Sequence, residues 1–221
     1  MDIIKLVNIS KYYENGNSKI HALENINLTF KRNELVAIIG RSGCGKSTLI
    51  NILAGLTTPT SGSCYFEGKE LDFRRKDKLS KYRRKNIGMV VQNFALIGNM
   101  TVAQNIGLPI TGKPSKSTRQ QIKKLANDLG IAEKLDCYPY QLSGGECQRV
   151  AIARALIIQP KIILADEPTG ALDNENAENI MALLKKLTDT TTVILVTHDM
   201  NIARQCDRII TLSYGSISNI S

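Results

Sequence analysis

The sequence has no long hydrophobic run, since no uninterrupted apolar stretch exceeds the five residues found at 35–39. A membrane-spanning helix needs about 20 such residues, so no segment is expected to cross a bilayer. The first residues also lack the basic region and apolar stretch that are typical of a secretory signal. We therefore expect a cytoplasmic protein.

Side chains that bind zinc or form disulfides are scarce and poorly spaced. The five cysteines are an odd number without a C-x-x-C pair, and only two histidines are present. A zinc site or a disulfide framework is therefore not expected, and the thiols should be reduced.

Acidic residues are outnumbered, with 20 Asp and Glu against 29 Lys and Arg and a net charge of +9. Residues 74–85 (RRKDKLSKYRRK) hold eight basic residues and one acidic residue, so most of the excess is local. This run favours a charged, solvated helix over a surface for lipid or nucleic acid. Phe73 and Tyr82 are the only aromatic residues close enough to stack on bases.

Repeats and low-complexity segments are absent too, and the pattern is that of alternating strands and helices. The first third is rich in β-strand patterns, and the apolar runs at 35–39, 162–165 and 193–196 are typical of buried strands. Because the second and third runs each follow a helical stretch, we expect them to lie in a parallel sheet.

The middle of the chain, residues 93–159, is dominated by helical patterns instead. Ser117 and Gln120 predict a capping box, a stripe from Ile122 to Leu129 has the helical period, and Gly130 can end that helix. We expect one domain over 1–221, with 1–92 and 160–221 as its core and 93–159 as an inserted helical subdomain.

A glycine-rich segment follows the first buried strand and precedes a helical run, and it fits G-x-x-x-x-G-K-[ST]. Its backbone N–H groups can wrap a phosphate chain at a helix N-terminus, the lysine can reach the β- and γ-phosphates, and the serine can bind Mg²⁺. The phosphate-binding residues are predicted to be Gly40, Arg41, Ser42, Gly43, Cys44, Gly45, Lys46, Ser47 and Thr48.

Two carboxylates end the apolar strand at 162–165. Asp166 is placed to lie beside a Mg²⁺ ion and Glu167 beside an attacking water. The chain lacks the Asn-Lys-x-Asp motif of guanine-binding proteins, so adenine is the favoured base.

A third segment, LSGGE at 142–146, combines a hydroxyl, two glycines and a following helical run. Taken alone it predicts either a further phosphate-binding helix start or a simple helix N-cap. The segment by itself leaves both interpretations open.

These motifs, in this order, resemble those of the ATP-binding cassette (ABC) family over essentially the whole chain. The resemblance implies an α/β P-loop NTPase fold with a mixed sheet core, an N-terminal antiparallel β part and an inserted α-helical subdomain. The motifs that carry the resemblance are Walker A at 40–47, the LSGGE signature, Walker B ending at Asp166, a D-loop at 171–173, and His198 in Thr-His-Asp.

The resemblance also implies ATP and Mg²⁺ as cofactors and an ATP-dependent homodimer with shared sites. Tyr13, rather than Tyr12, would stack on adenine, and Gln92 would contact Mg²⁺ or the lytic water. Glu167 would activate that water, and His198 would contact the γ-phosphate. Across the dimer, the partner's nucleotide would be contacted by Ser143, Gly144, Gly145 and Glu146.

Within the family, residues 83–88 and 166–173 are similar to the branch of macrolide-export and lipoprotein-release ATPases. The implied function is to power export or membrane extraction of a peptide, lipoprotein or drug-like substrate through a separate integral-membrane permease. The protein would then be peripheral on the inner face of the cell membrane, without stable nucleic-acid binding. The apolar surface for the permease is predicted within residues 93–110, at Phe94, Leu96, Ile97, Met100 and Val102.

The alternative is a soluble ABC ATPase that acts on nucleic acid or the ribosome. It would use the same motifs, but such relatives usually carry tandem cassettes or a long coiled coil. This chain has one cassette and no heptad array.

Overall fold

The computed structural model describes residues 1–15, 18–110, 112 and 115–221. Within the described residues, the strands are β1 Asp2–Asn15, β2 Ser18–Lys31, β3 Leu35–Ile39, β4 Ser61–Phe66, β5 Lys69–Glu70, β6 Ile87–Val90, β7 Ile162–Asp166, β8 Thr192–Val196, β9 Arg208–Ser213 and β10 Ser216–Ile220. The helices are α1 Lys46–Leu53, α2 Lys76–Asn86, α3 Val102–Gly107, α4 Lys116–Asp128, α5 Gly144–Leu156, α6 Asn174–Leu187 and α7 Met200–Ala203.

A four-stranded antiparallel sheet, ordered β2-β1-β4-β5, forms the N-terminal β part. Its long hairpin places Tyr13 opposite Ile20. Alternating apolar residues, such as Ile4 and Leu6, point to one face of this sheet and are buried there.

The central sheet has six strands in the order β10-β9-β3-β8-β7-β6. β9, β3, β8, β7 and β6 run parallel, and β10 returns antiparallel at the edge. The prediction that the apolar runs form a parallel sheet is confirmed. Such strands are apolar at every position because helices or a second sheet cover both faces.

Two apolar cores lie on the opposite faces of the central sheet. In β3, Val36 and Ile38 join the core that also contains the antiparallel sheet and α1, whereas Leu35 and Ala37 join the core beneath α3 to α6. The two-residue alternation of strand side chains therefore assigns each residue to one core.

The chain between β6 and β7 forms α3, α4, α5 and two 3₁₀ turns, at Ala132–Lys134 and Pro139–Gln141, and it contains no strand among its described residues. This agrees with a helical subdomain at 93–159, of which residues 111, 113 and 114 lie outside the described part of the chain. The boundaries of the predicted subdomain stay a prediction.

The predicted capping box at Ser117 and Gln120 is wrong. α4 begins at Lys116, and its N-cap is Ser115, whose hydroxyl accepts from the backbone N–H of Thr118 at 3.1 Å. The extended backbone of Ser115 (ψ 171°) makes it the cap, so Ser117 falls inside the first turn. At the other end, Gly130 has φ 68° and ends the helix as predicted.

In the described part of the chain, no helix combines the length and the apolar character that a membrane crossing requires.

Candidate nucleotide-binding site

Four parallel strands of the central sheet end at the same edge, and the residues that follow them converge there. β3 leads into the glycine-rich loop, β8 into His198, β7 into Glu167, and β6 into Gln92. Together with the hairpin of β1 and β2, they enclose a cavity of about 490 Å³. Its lining includes Tyr13, Ser42, Gly43, Gly45, Lys46, Ser47, Thr48, Gln92, Asp166, Glu167 and His198.

The glycine-rich loop needs glycine where it approaches other backbone closely. Gly45 has φ 105°, and a Cβ there would lie 2.2 Å from the carbonyl oxygen of Ala22. Gly45 is also the N-cap of α1, and no side chain among the described residues caps this helix. The free N–H groups of its first turn and its positive dipole end can therefore bind an anion.

Lys46 is one of two basic residues of this loop, the other being Arg41. Its Nζ donates to the carbonyl oxygens of Gly40 at 2.7 Å and Arg41 at 2.9 Å. The ammonium group is thereby held over the loop, where it adds to the positive potential at the start of α1. The loop can hold the phosphates of a nucleotide.

Oxygen atoms that could bind a divalent cation lie beside the loop. The hydroxyl of Ser47 donates to Asp166 Oδ2 at 3.3 Å, and Gln92 lines the same cavity. No group of three or more His, Cys, Asp and Glu side chains that could hold a metal occurs in the described ranges. Such a sparse, all-oxygen set fits Mg²⁺, which is usually bound by one or two carboxylates together with substrate phosphates and waters.

Glu167 lies immediately after Asp166 in a left-handed backbone conformation, with φ 50°. Its N–H donates to the carbonyl oxygen of Val196 at 3.0 Å, which fixes this turn to β8. Glu167 Oε1 lies 2.8 Å from His198 Nδ1, whereas Oε2 is buried without a hydrogen-bond partner among the described residues. A buried acceptor of this kind can bind and activate a water at the edge of the cavity.

The loop that carries Gln92 is held by a residue that the sequence did not indicate. Phe94 and Ala95 both have positive φ, 57° and 47°. Arg154 in α5 donates from Nη2 to the carbonyl oxygen of Phe94 at 2.7 Å and from Nη1 to that of Ala95 at 2.5 Å. Burial lowers the pKa of this guanidinium. The contact spans 60 residues of sequence, so no local pattern could predict it.

Of the two candidate tyrosines, Tyr13 lines the cavity and is 41% exposed. Tyr12 instead packs against His21, with ring centroids 4.4 Å apart. Ile20 lies opposite Tyr13 and also lines the cavity. Sequence analysis missed Ile20, although strand alternation in the hairpin was the signal that could have found it.

Three of the predicted loop residues do not line this cavity. Gly40, Arg41 and Cys44 line a separate cavity of about 850 Å³ next to Tyr214 in the turn between β9 and β10. Cys44 is buried, with 8% of its surface exposed.

The LSGGE segment does not line the cavity of its own chain either. Ser143 is the N-cap of α5, its Oγ accepts from the N–H of Glu146, and Glu146 accepts from the N–H of Ser143 at 2.8 Å. That second bond holds the pKa of Glu146 below its usual value. A Cβ on Gly145 would lie 2.4 Å from Asn176 Oδ1, so this glycine allows α5 to pack closely on α6.

Comparisons with known proteins agree with this geometry. A family model described as ABC transporter matches residues 23–170. The uncharacterized ABC transporter ATP-binding protein MJ0796 of Methanocaldococcus jannaschii is 47% identical over 223 residues, which cover 97% of this chain and 95% of that protein. The macrolide export ATP-binding/permease protein MacB of Aggregatibacter actinomycetemcomitans is 43% identical over 220 residues, 98% of this chain, but the chain spans only 34% of MacB.

Solved structures show the same architecture. The dimeric structure of MJ0796, a bacterial ABC transporter cassette, superposes with a TM-score of 0.91 at 44% identity and covers 99% of this chain and 98% of its own. A second dimeric structure of that cassette, in a post-hydrolysis state with ADP and Pi, has a TM-score of 0.90 at 43% identity, with the same coverage. The chain thus belongs to the ABC transporter family, of which it is an ATP-binding cassette.

Proposed function

We propose that this cassette hydrolyses Mg-ATP at sites shared between two copies and so powers transport through an integral-membrane permease. The observation that carries the proposal is the convergence of Lys46, the Ser47–Asp166 pair and Glu167 at one edge of the sheet. A phosphate loop, a cation site and a base candidate thereby lie in one cavity.

Each group in the cavity then has one role. The loop amides and Lys46 bind the β- and γ-phosphates, and Tyr13 packs against the adenine. Ser47 and Asp166, together with Gln92, would hold Mg²⁺, which when bound would neutralise charge on the phosphates. Glu167 accepts a proton from the attacking water.

His198 is oriented by Glu167 at 2.8 Å, and we assign it a contact with the γ-phosphate. Its side chain is largely exposed at 72%, whereas that of Glu167 is only 13% exposed. The base is therefore the better shielded group of this pair, and the imidazole is free to meet a nucleotide at the open side of the cavity.

A second copy would complete each site. Ser143, Gly144, Gly145 and Glu146 lie outside the cavity of their own chain, so they would contact the nucleotide bound to the partner. The similar cassette MJ0796 was solved as a dimer, which supports this arrangement.

A groove of about 530 Å³ is the proposed docking site for the permease. Its apolar lining includes Met89, Leu108 and Ile158, and Arg83 and Arg84 line it as well. Leu108 is 45% exposed and was missed by sequence analysis. The residues that were predicted to form the permease surface do not line this groove, and Val102 is completely buried; they are Phe94, Leu96, Ile97, Met100 and Val102. Val102 packs in the core beneath α3 because it occupies the inward face of that short helix.

MacB is named as a combined ATP-binding and permease protein. By similarity to it, we propose an exporter or membrane-extraction system for a peptide, lipoprotein or drug-like substrate. The cassette would act at the cytoplasmic face of the membrane, on an integral-membrane permease.

The shared-site proposal can be tested with Glu167→Gln. This change removes the base but keeps a side chain of similar size, so ATPase activity should fall on the order of 10²- to 10⁴-fold. Nucleotide binding should persist, and ATP should therefore hold the variant as a dimer in sedimentation velocity experiments.

Two controls distinguish the parts of this proposal. Adding Lys46→Ala should abolish the dimer by removing a phosphate contact. Adding Ser143→Arg should abolish it by blocking the partner's nucleotide, while each chain still binds ATP in its own loop. If Glu167→Gln remains monomeric at saturating ATP, the shared-site proposal is wrong.

A further inference from the structure

The helix α2 is attached rigidly to the core by one face. Leu79 and Tyr82 are buried, and the hydroxyl of Tyr82 donates to the carbonyl oxygen of Leu53 at 2.9 Å. Arg83 donates to the carbonyl oxygen of Gly55 at 2.7 Å. The opposite face of α2 is therefore held in a fixed orientation toward solvent.

That opposite face carries four exposed basic side chains, Lys78, Lys81, Arg84 and Lys85. At about 100° per residue, they fall within an arc of roughly 120° on the helix surface. Asp77 is the one acidic residue of the helix, and it pairs with Arg75 at 3.3 Å. Across the described ranges, no carboxylate forms an ion pair with any of the four.

We propose that this basic face of α2, defined by Lys78, Lys81, Arg84 and Lys85, binds the headgroups of anionic phospholipids. A cluster of about four to eight basic residues on a helix is the pattern that favours adsorption to an anionic membrane surface. Because the apolar side of α2 is already buried in the protein, binding would be electrostatic and would not involve insertion into the acyl region.

Two observations favour lipid over nucleic acid. Single-stranded nucleic acid binds to exposed aromatic platforms, yet Tyr82 is only 7% exposed and Phe73 is half-buried. In addition, Arg84 lies both on the basic face and in the groove. The second observation rests on the proposed function, since a permease docked in that groove would bring headgroups close to α2.

The test uses the isolated chain and vesicles, without ATP or a permease. Vesicles of phosphatidylcholine alone are compared with vesicles that contain phosphatidylglycerol, and bound protein is measured by co-flotation at about 0.1 M salt. The wild-type chain should bind the anionic vesicles at least about tenfold more tightly, and high salt should abolish this preference.

The test variant is Lys78→Gln/Lys81→Gln/Lys85→Gln, which omits Arg84 because that residue also lines the groove. Its affinity for anionic vesicles should fall by about tenfold or more. The matched control is the triple variant of α4 in which Lys116, Lys123 and Lys124 are replaced by Gln. These lysines are also exposed, so the control removes the same charge and should keep most of the binding.

Three results would overturn the proposal. The first is that the wild-type chain does not bind anionic vesicles. The second is that the two triple variants lose binding to the same extent. The third is that the chain binds single-stranded nucleic acid more tightly than vesicles through the same lysines. Because neither assay requires nucleotide, each of these results leaves the ATP-dependent dimer of the Glu167→Gln variant as a separate test of the proposed function.

Discussion

Arg154 holds the loop that follows Gln92 through the carbonyl oxygens of Phe94 and Ala95. A guanidinium can make both bonds at once because its donors form a planar fork, whereas an ammonium group is a single point donor. The two left-handed residues are thus stabilised by one side chain from α5. Because Gln92 lies two residues before Phe94, we expect its position in the nucleotide cavity to depend on this contact.

At the scale of single residues, we predict that Arg154→Lys lowers kcat by roughly 10- to 100-fold, because a displaced loop misplaces Gln92. KM for ATP should change little, since Lys46 and the loop amides are untouched. The matched control is Arg149→Lys, because Arg149 lies in the same helix but makes one bond, of 3.3 Å, to Leu129. Steady-state ATPase assays test both variants, and an equal fall in kcat for both would contradict this role.

At the scale of elements, α5 and α6 meet where Gly145 faces the side chain of Asn176. A Cβ on Gly145 would meet Asn176 Oδ1 at 2.4 Å, and Asn176 itself donates to Asp173 Oδ2 at 2.8 Å. The neighbouring Gly144 has room, since its Cβ would meet Leu172 at an ordinary 3.5 Å. Adjacent glycines of one motif therefore differ in their structural role.

We predict that Gly145→Ala lowers the free energy of unfolding by about 1–3 kcal/mol, because Asn176 must leave Asp173 or the helices must separate. Gly144→Ala should be neutral or stabilise by up to about 1 kcal/mol, since alanine restricts the unfolded chain. Urea denaturation of the two variants gives the comparison. Equal unfolding free energies would show that the close approach is relaxed at no cost.

At the scale of the whole molecule, the nucleotide cavity and the groove are separate surfaces joined by one loop. Gln92 lines the cavity, and Ala95 and Arg154 line the groove. A permease that moves this loop could therefore change the position of Gln92. The permease could thus be coupled to ATP hydrolysis without contacting the nucleotide.

For this scale we predict that Leu108→Glu abolishes co-purification with the permease and permease-stimulated ATPase activity, because a charge replaces the apolar surface of the groove. ATP binding by the isolated chain provides the check on folding. The matched control is Ile220→Glu in β10, at the opposite edge of the sheet. The side chains of Leu108 and Ile220 are similarly exposed, at 45% and 48%. If Ile220→Glu also loses co-purification and permease-stimulated ATPase activity, the groove has no specific role.

Local patterns predicted a large part of this molecule. The buried strand 35–39, the glycine-rich loop after it and the end of α4 at Gly130 depend on residues adjacent in sequence, and their structures follow the prediction. The start of α4 was wrong by two residues because Ser115 and Ser117 both offer a hydroxyl. Only the backbone conformation around each serine decides which of the two caps the N-terminus of α4.

The amino-acid sequence by itself determined the chemistry of this protein, because a phosphate loop, a strand ending in carboxylates and a helix cap each form within a few residues. The tertiary structure alone decided which of these meet. Ser47 and Asp166 are 119 residues apart, and Glu167 and His198 are 31 apart. Glu167 and His198 meet because β7 and β8 lie side by side, whereas β8 separates β3 from β7. Ser47 still reaches Asp166 because the carboxyl ends of all these parallel strands share one edge of the sheet.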